Sequence, residues 1–390
     1  MKKIVLIVFA LFSFITWAGD ALEMPGFRIL DAAHKSRPEE NILLSPLSMQ
    51  QCFSMLVDGA GENTAGELLK YLGLDKDNSI FIRQTVNGLK SCRDIHFDSC
   101  NSAVFDHRLP VEQRFIDEAF RLCDAKIYKA DFNRPADCAD LLNALVKVQS
   151  RGMIDGIFQE MDFSGKPLMV LLNVLYFKGA WATPFAVGST IEMPFAAYGK
   201  NSPQMVDMMC AELTVPYCND GIIHGVTLAY KEKRIKMMFL MPVDPQAPLT
   251  LVTEKLAADG LKNFIGNSTM EKVTDIRIPK LRISEDSDLR TLLSNIGIEL
   301  LFSASRSDLQ GVVRGIPLYV DGARQVVKLD LNEAGTEVAA VTSIMTRSCA
   351  VRVPAVEKNI FHADRPFVMV LFDSDSGVVL LTAVVNRVDR

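Results

Sequence analysis

The stretch LMVLLNVLYFKGAWATPF, residues 168–185, carries the strongest structural signal in this sequence. Its first ten residues are apolar or aromatic except for Asn173, so polar and apolar positions do not alternate. A continuous apolar run of this length is typical of a β-strand that is covered on both faces. Three similar runs follow at residues 235–241, 366–372 and 378–385. The sequence therefore predicts a core built from buried strands.

Helical patterns dominate the first 150 residues. Ser45 followed by Pro46 predicts a helix start, because a serine side chain caps free backbone N–H groups and proline fits the first turn. Residues 112–125 and 138–150 also have the spacing of amphipathic helices. Helices near the N-terminus and strands in the remainder favour an α+β fold over a regular βαβ repeat.

The composition is that of a folded globular protein. Of the 390 residues, 49% are hydrophobic and 23% are charged, which differs from the composition of disordered chains. No linker, low-complexity run or repeat divides the chain, so we expect one large domain over residues 19–390. The net charge of -5 and the scattered basic residues disfavour a nucleic-acid partner.

The first residues, MKKIVLIVFALFSFITWAGDA, have the pattern of a secretory signal peptide. Two lysines precede an apolar run from Ile4 to Trp17, and Ala18 is a small residue suited to cleavage. The alternative is a membrane anchor, but the run is shorter than the roughly 20 apolar residues that span a bilayer. We expect removal of residues 1–18 and a secreted, extracellular protein without a membrane partner.

Eight cysteines are present, and in an oxidising compartment some of them can form disulfides. Cys92 with Cys100, and Cys210 with Cys218, are candidate pairs because they lie close in sequence. Cys52 lies on an apolar helical face and is expected to be a buried thiol. No CxxC motif is present, and the five histidines show no metal-ligand spacing, so we expect neither a metal nor a cofactor.

Catalytic motifs are also missing from the sequence. It contains no GxSxG, HExxH or GxxxxGK[ST] pattern. The glycine-rich run at residues 59–66 follows a predicted helix instead of a strand, so it does not match a dinucleotide-binding loop. The protein is therefore not expected to be an enzyme.

The segment NEAGTEVAAVTSIMTRSCA, residues 332–350, is unusual because it lacks the large side chains of a core strand. From Thr336 onward, the even-numbered positions to 344 carry no charge, and Glu337 is the only charged residue among the odd-numbered positions to 345. Side chains alternate between the two faces of a strand. This pattern predicts a segment that can become a buried strand with Glu337 facing solvent.

Four stretches together resemble the serpin family, and the resemblance covers nearly all of the chain after the signal peptide. Residues 171–185 are similar to the family pattern NAIYFKGxWxxPF, and residues 331–342, LNEAGTEVAAVT, resemble the hinge of its reactive loop. The other two are NILLSPLSMQQCFSMLVDGAGENTAGEL at 41–68, similar to an early helix and its following loop, and FHADRPFVMVLFDSDSGVVLL at 361–381, similar to the C-terminal signature.

The resemblance implies an α+β serpin fold with three β-sheets, eight or nine helices and an exposed reactive-centre loop at about residues 335–358. It implies a monomeric suicide-substrate inhibitor that forms a covalent complex with a serine protease. Insertion of the cleaved loop into a sheet would trap the acyl-enzyme. Two alternatives remain open: a non-inhibitory serpin that acts as a carrier or chaperone, and an inhibitor of papain-like cysteine proteases.

The resemblance also implies roles for individual residues. Counting from the hinge places the reactive bond between Cys349 and Ala350. The segment before Phe361 is longer than usual, so Arg347 and Arg352 are alternative reactive-bond residues, which would suit a trypsin-like enzyme. The loop hinge comprises Glu333, Gly335, Thr336, Glu337, Val338, Ala339 and Ala340.

The family has two further named regions around the sheet that accepts the loop. The shutter lies beneath this sheet, and the breach lies at its top, where the loop first enters. Ser45, Ser48 and Asn173 match the shutter, and Trp181 matches the breach. Gln325 stands where the family usually has a histidine. An amide donates and accepts hydrogen bonds but does not titrate, so we expect no pH sensitivity at this position.

Overall fold

The computed structural model describes residues 22–336, except 153, 201 and 271, and residues 358–388. Its described parts contain nine α-helices. They are α1 (22–36), α2 (Pro46–Ser54), α3 (Glu62–Leu72), α4 (Lys76–Lys90), α5 (Gln113–Cys123), α6 (Pro135–Gln149), α7 (Thr250–Asp259), α8 (Lys262–Gly266) and α9 (Leu289–Asn295).

Sixteen strands accompany these helices within the same residues. They are β1 (Ile42–Leu44), β2 (Ile95–Asp106), β3 (Lys126–Ala130), β4 (Met169–Ala180), β5 (Thr190–Phe195), β6 (Gln204–Leu213), β7 (Tyr217–Asn219), β8 (Ile223–Ala229), β9 (Ile235–Pro242), β10 (Thr274–Pro279), β11 (Leu281–Asp288), β12 (Gly322–Asn332), β13 (Gly335–Thr336), β14 (Asn359–His362), β15 (Phe367–Asp373) and β16 (Val379–Val385).

The strands form three sheets, as expected. The main sheet has the order β11-β12-β13-β4-β2-β3, and the second sheet has the order β1-β16-β15-β9-β8-β7. The small sheet has the order β14-β10-β6-β5. All four apolar runs in the sequence form strands, namely β4, β9, β15 and β16, and every residue of β15 and β16 is buried. The prediction of strands covered on both faces is confirmed.

Helix α2 lies between the main sheet and the second sheet. Ser45 caps its N-terminus as predicted, because the Ser45 Oγ accepts a hydrogen bond from the Ser48 N–H at 3.2 Å. The Ser45 Oγ also donates to the carbonyl of Leu380 in β16 at 2.6 Å. Helix α2 thus connects both sheets. We call the face of the main sheet that meets α2 its inner face.

The outer face of the main sheet lies against α6 and the 3₁₀ turn Glu160–Phe163. Leu142 and Val146 of α6 form one buried cluster with Val170 and Val174 of β4 and with Val326 of β12. This second core is separate from the larger one between the sheets. The central strands of the main sheet are therefore buried on both faces, although two layers of different composition cover them.

The expected clustering of helices in the first 150 residues and of strands in the remainder holds for six of the nine described helices and thirteen of the sixteen described strands, but it is not complete. Strand β2 is one of the longest in the protein and lies within the first 150 residues, whereas α7, α8 and α9 lie in the second half. The outward positions His96 and Asp98 interrupt the apolar residues of β2, so it lacks the continuous apolar run that identifies the other core strands.

Neither candidate disulfide pair forms, because all seven described cysteines are free thiols. Cys210 lies in β6 of the small sheet and Cys218 in β7 of the second sheet. Cys92 lies between α4 and β2, whereas Cys100 lies well inside β2. Cys52 is buried in α2, as predicted, and burial raises its pKa to about 12.

No helix among residues 22–336 and 358–388, the three single gaps aside, is long and apolar enough to cross a membrane. The predicted signal peptide, residues 1–18, lies outside the described residues.

Candidate functional site

A parallel contact between β12 and β4 runs through the middle of the main sheet. We call it the seam, and it joins Gly322–Lys328 to Val170–Tyr176. The neighbouring contacts of these two strands, β11 with β12 and β2 with β4, are antiparallel. A parallel ladder is slightly weaker per residue than an antiparallel one. Per residue, the seam is therefore weaker than the antiparallel contacts on either side of it.

Above the seam, β12 and β4 diverge and the two-residue strand β13 lies between them. Thr336 pairs with Leu331 of β12 and with Gly179 of β4, and Gly335 pairs with Asn332 and Ala180. Both of these contacts are antiparallel. Two residues of the predicted hinge, Gly335 and Thr336, thus already lie inside the main sheet.

Gly335 fits this position because it has no side chain. Its φ of +148° lies in a region that other residues rarely adopt. A Cβ atom at this residue would lie 2.1 Å from the carbonyl oxygen of Gly179 and 2.8 Å from the Cα atom of Ala180. These are backbone atoms of β4 and cannot rotate away, so the close packing of β13 against β4 requires glycine.

Thr336 lies in an aromatic pocket at the top of the seam. Its Oγ1 lies 2.7 Å from the hydroxyl oxygen of Tyr230, and both residues are fully buried. Burial raises the pKa of Tyr230 far above its ordinary value, although the hydrogen bond with Thr336 acts in the opposite direction. The Trp181 ring stacks on Tyr230 with a centroid distance of 4.5 Å. The site therefore accepts a small hydroxyl side chain.

Trp181, the predicted breach residue, also binds the turn between β12 and β13. Its indole N–H donates to the carbonyl of Asn332 at 3.1 Å, and its backbone N–H donates to the carbonyl of Ala334 at 2.9 Å. The structure thus places Trp181 directly beside the hinge.

Glu333 anchors the same turn. Its Oε1 accepts a hydrogen bond from the Thr190 hydroxyl at 2.8 Å and lies 3.5 Å from Nζ of Lys280. Burial raises the pKa of the Glu333 carboxyl, but a backbone N–H, the Thr190 hydroxyl and Lys280 outweigh this effect. The pKa of Glu333 therefore lies below its ordinary value. The hinge begins at a buried, ionised anchor.

The four predicted shutter residues form one buried hydrogen-bond network across the seam. Nε2 of Gln325 donates to Oδ1 of Asn173 at 2.8 Å, which joins β12 to β4. The Gln325 amide also accepts from the Ser45 N–H at 2.9 Å and donates to the Ser45 carbonyl at 3.0 Å. The Ser48 Oγ donates to Oδ1 of Asn173 at 2.8 Å. None of these groups titrates near neutral pH.

Sequence reasoning missed the continuation of this network into β2. Nδ2 of Asn173 donates to Oδ1 of Asn101 at 2.8 Å, and the Ser48 Oγ lies 2.8 Å from the Ser99 Oγ. Ser99 and Asn101 are two residues apart and therefore share the inner face of β2. Small polar residues at this spacing inside a buried strand are the signal that could have identified them. Tyr230 follows β8 in a polar turn and has no comparable local signal.

The remaining predicted residues lie outside the described part of the chain. They are the hinge residues Glu337, Val338, Ala339 and Ala340, the reactive-bond residues Cys349 and Ala350, and the alternatives Arg347 and Arg352.

One group in the described ranges brings three possible metal ligands within 4.8 Å of one another: Asp106, His107 and Asp131. However, Asp106 is already bound by the guanidinium of Arg108 at 2.7 Å and 3.1 Å, and this contact lowers the pKa of Asp106. The group is therefore a salt-bridge network at the end of β2.

A family model described as serpin (serine protease inhibitor) matches residues 21–388. The chain belongs to the serpin family. Among curated serpins, a serine protease inhibitor of Rattus norvegicus is 30% identical over 358 residues, which cover 90% of this chain and 84% of that protein. Alpha-1-antichymotrypsin of Homo sapiens is 27% identical over 358 residues, which cover 90% and 83%.

Solved serpin structures have the same fold. Native protease nexin-1 with heparin superimposes with a TM-score of 0.84 at 22% identity, covering 96% of this chain and 100% of that one. Human thyroxine-binding globulin superimposes with a TM-score of 0.85 at 21% identity and the same coverage. The prediction of a serpin fold is confirmed. A protein named for thyroxine binding shares this fold, so the fold alone does not identify an inhibitor.

Proposed function

We propose that this serpin is a secreted suicide-substrate inhibitor of a serine endopeptidase. The observation that carries the proposal is the position of Gly335 and Thr336 between β12 and β4. In this proposal residues 1–18 are removed, residues 19–390 form one domain, and a protease cleaves the loop at about residues 335–358. The cleaved loop then continues the insertion that β13 has begun.

The register of β13 determines where each further loop residue would go. Thr336 opposite Leu331 and Gly179 implies that Thr342 would lie opposite Gln325 and Asn173. Thr342 would therefore enter between the two amides that close the seam, on the same inner face. The Thr342 hydroxyl can donate and accept, so it can replace the hydrogen bond between Gln325 and Asn173 that the inserted strand would break.

The sequence between the hinge and this point is suited to insertion. Even-numbered residues from Val338 to Ile344 would face inward and odd-numbered ones outward. No proline interrupts residues 337–346, which matters because a central strand needs every backbone N–H. Glu337 would lie opposite Lys178 and Asp330 on the outer face. Both residues are only partly buried, so its charge remains accessible to solvent.

Insertion would exchange one parallel ladder of seven residue pairs for two antiparallel ladders. The net gain is roughly ten backbone hydrogen bonds at about 0.5–1.5 kcal/mol each, or on the order of 10 kcal/mol. The intact loop is held at both ends, so this free energy stays unreleased until the chain is cut.

This free energy would be used against the attacking protease. A serine protease that cleaves the loop becomes an acyl-enzyme, whose hydrolysis requires an intact triad and oxyanion hole. Movement of the cut loop down the seam would carry the bound protease with it and distort those groups before water attacks. The inhibitor itself needs no catalytic residue, and the product is a covalent complex.

The proposed reactive bond joins Cys349 and Ala350, and cysteine at this position suits an elastase-like or chymotrypsin-like protease. Arg347 and Arg352 are the alternatives and would suit a trypsin-like protease. Sequencing the C-terminal peptide that is released on cleavage decides among them, and a peptide that does not begin at Ala350 overturns the first choice.

The test of the function is incubation with elastase, chymotrypsin, trypsin and papain, followed by electrophoresis in SDS. We expect a stable complex with at least one serine protease. Thr336→Glu should be cleaved without forming the complex, because the aromatic pocket has no space or partner for a carboxylate. Thr336→Ser keeps the hydroxyl and serves as the matched control.

Three results would change the conclusion. A complex with papain alone would make the target a cysteine protease. Cleavage without any complex, and without a rise in the thermal midpoint (Tm) of the cut protein, would overturn the proposal and favour a carrier or chaperone. Equal complex formation by wild-type and Thr336→Glu proteins would show that insertion is not required.

A further inference from the structure

A cavity of about 460 Å³ lies at the lower end of the seam, opposite the end that the hinge occupies. The first residues of β4 and β12 and the 3₁₀ turn beneath α6 form its walls, which include Val170, Gly322, Phe158 and Phe163. The rings of Phe158 and Phe163 lie 5.8 Å apart and belong to the outer cluster. The cavity therefore opens on the outer face. Its walls combine this apolar, aromatic part with charged residues, namely Asp162, Asp288, Arg290, Asp321 and Arg324.

Gly322 leaves space inside this cavity. A Cβ atom built on Gly322 would have Val170 as its nearest neighbour, with its two methyl carbons at 3.8 Å and 3.9 Å. Gly322 pairs with Val170 across the seam. At the end of the seam, β4 thus contributes an apolar side chain while β12 contributes none.

The register of β13 assigns one residue to this place. Counting down the seam from Thr336, Met345 would lie opposite Gly322 of β12 and Val170 of β4. Thr336 faces inward toward Tyr230, and Met345 is an odd number of residues later, so its side chain would face outward. Val170, Phe158 and Phe163 are all in the outer cluster.

We propose that this cavity receives the Met345 side chain when the cleaved loop inserts. The inference rests on the proposed function, because it requires insertion in the register of β13. A methionine side chain is flexible, and its sulfur makes favourable contacts with aromatic rings, which suits a cavity bordered by two phenylalanines.

The position of the cavity also sets the end of insertion. Strand β12 begins at Gly322 and β4 begins at Met169, so the main sheet offers no strand partners beyond the residue after Met345. Occupation of the cavity would hold Met345, the last residue of the inserted strand that has a partner in both β12 and β4. Met345 is therefore a positioning residue that fixes the inserted loop at its far end.

The direct test is NMR of the protein labelled with ¹³C at the methionine methyl groups, before and after cleavage of the loop. The Met345 signal is identified as the one that disappears in Met345→Leu. We expect it to move upfield on cleavage, because the methyl group enters the ring-current field of Phe158 and Phe163. Phe158→Leu should reduce this movement while the cut protein still shows a raised Tm.

Thermal melting gives a second measurement that does not depend on the phenylalanine variant folding. The rise in Tm on cleavage should be smaller by about 5 °C in Met345→Ala, since truncation leaves a cavity, and nearly unchanged in Met345→Leu. Ser348→Ala is the matched control, because residue 348 lies beyond the last strand partners. It should retain the wild-type rise.

The outcomes separate this inference from the proposed function. If the cut protein gains thermal stability but the Met345 signal does not move, or if Met345→Ala behaves like Ser348→Ala, then insertion occurs and the cavity does not receive Met345. If wild-type protein shows no rise in Tm on cleavage, then the proposed insertion itself is wrong, and this inference is overturned with it.

Discussion

Replacing Gln325 with leucine tests how firmly hydrogen bonds close the seam. Gln325 is fully buried, and its amide makes three hydrogen bonds: two with the backbone of Ser45 and one with Asn173. Leucine has a similar volume but can make none of them. The substitution therefore removes the side-chain hydrogen bond between β12 and β4 and keeps their backbone ladder.

The expected loss follows from what each former partner retains. The Ser45 carbonyl still accepts from the Met49 N–H at 3.0 Å, and Oδ1 of Asn173 still accepts from the Ser48 Oγ at 2.8 Å. The Ser45 N–H loses its acceptor, which costs about 1–3 kcal/mol, and two further bonds are lost at about 0.5–1.5 kcal/mol each. Burial of leucine returns about 1 kcal/mol. We expect a net loss of about 3 kcal/mol.

Urea unfolding of the uncleaved protein measures this loss. Trp181 is the only tryptophan after residue 18, so its fluorescence reports on the top of the seam alone. Gln246→Leu, at an exposed loop position, is the matched control and should change stability by less than about 0.5 kcal/mol. If Gln325→Leu and Gln246→Leu unfold at the same urea concentration, the network does not hold the seam and the reasoning is refuted.

Three further predictions concern the hinge. Gly335→Ala should force β13 away from β4 at a cost on the order of 2 kcal/mol, because the new Cβ would meet backbone atoms. More inhibitor molecules should then be consumed for each protease molecule trapped. An unchanged ratio of inhibitor to protease would contradict the clash. Tyr230→Phe should lower stability by about 1 kcal/mol, because it removes the buried hydrogen bond with Thr336. In a double-mutant cycle measured by urea unfolding, Thr336→Val should cost less in the Tyr230→Phe background than in the wild-type protein, and equal costs would contradict the bond. The pKa of Glu333 is lower in the folded protein than its ordinary value of 4.5. The ionised carboxylate therefore stabilises the fold above about pH 4.5, and this contribution is lost as the pH falls through the folded pKa. Glu333→Gln should flatten the pH dependence of Tm on the acid side, and parallel curves for the two proteins would argue against an ionised anchor.

Local patterns in the sequence were sufficient for the elements around the seam. The apolar run of β4 and the serine and proline at the start of α2 depend on neighbouring residues only, and both appear in the structure as predicted. Strand β2 was missed because polar residues on its outward positions interrupt its apolar pattern. The two candidate disulfide pairs do not form for a related reason, because closeness in sequence does not determine which sheet a strand joins.

The sequence by itself determined the family, the buried strands, the cap of α2, the uncharged even-numbered positions from Thr336 to Ile344 and the absence of proline from residues 337–346. These properties depend on side-chain chemistry and short-range spacing, which are readable along one chain. Only the tertiary structure decided that Gln325 meets Asn173, that Thr336 meets Tyr230 and that a cavity lies below Gly322. Each of these contacts joins residues about 100 or more positions apart, because the pairing of distant strands, and not local preference, sets the register of the main sheet.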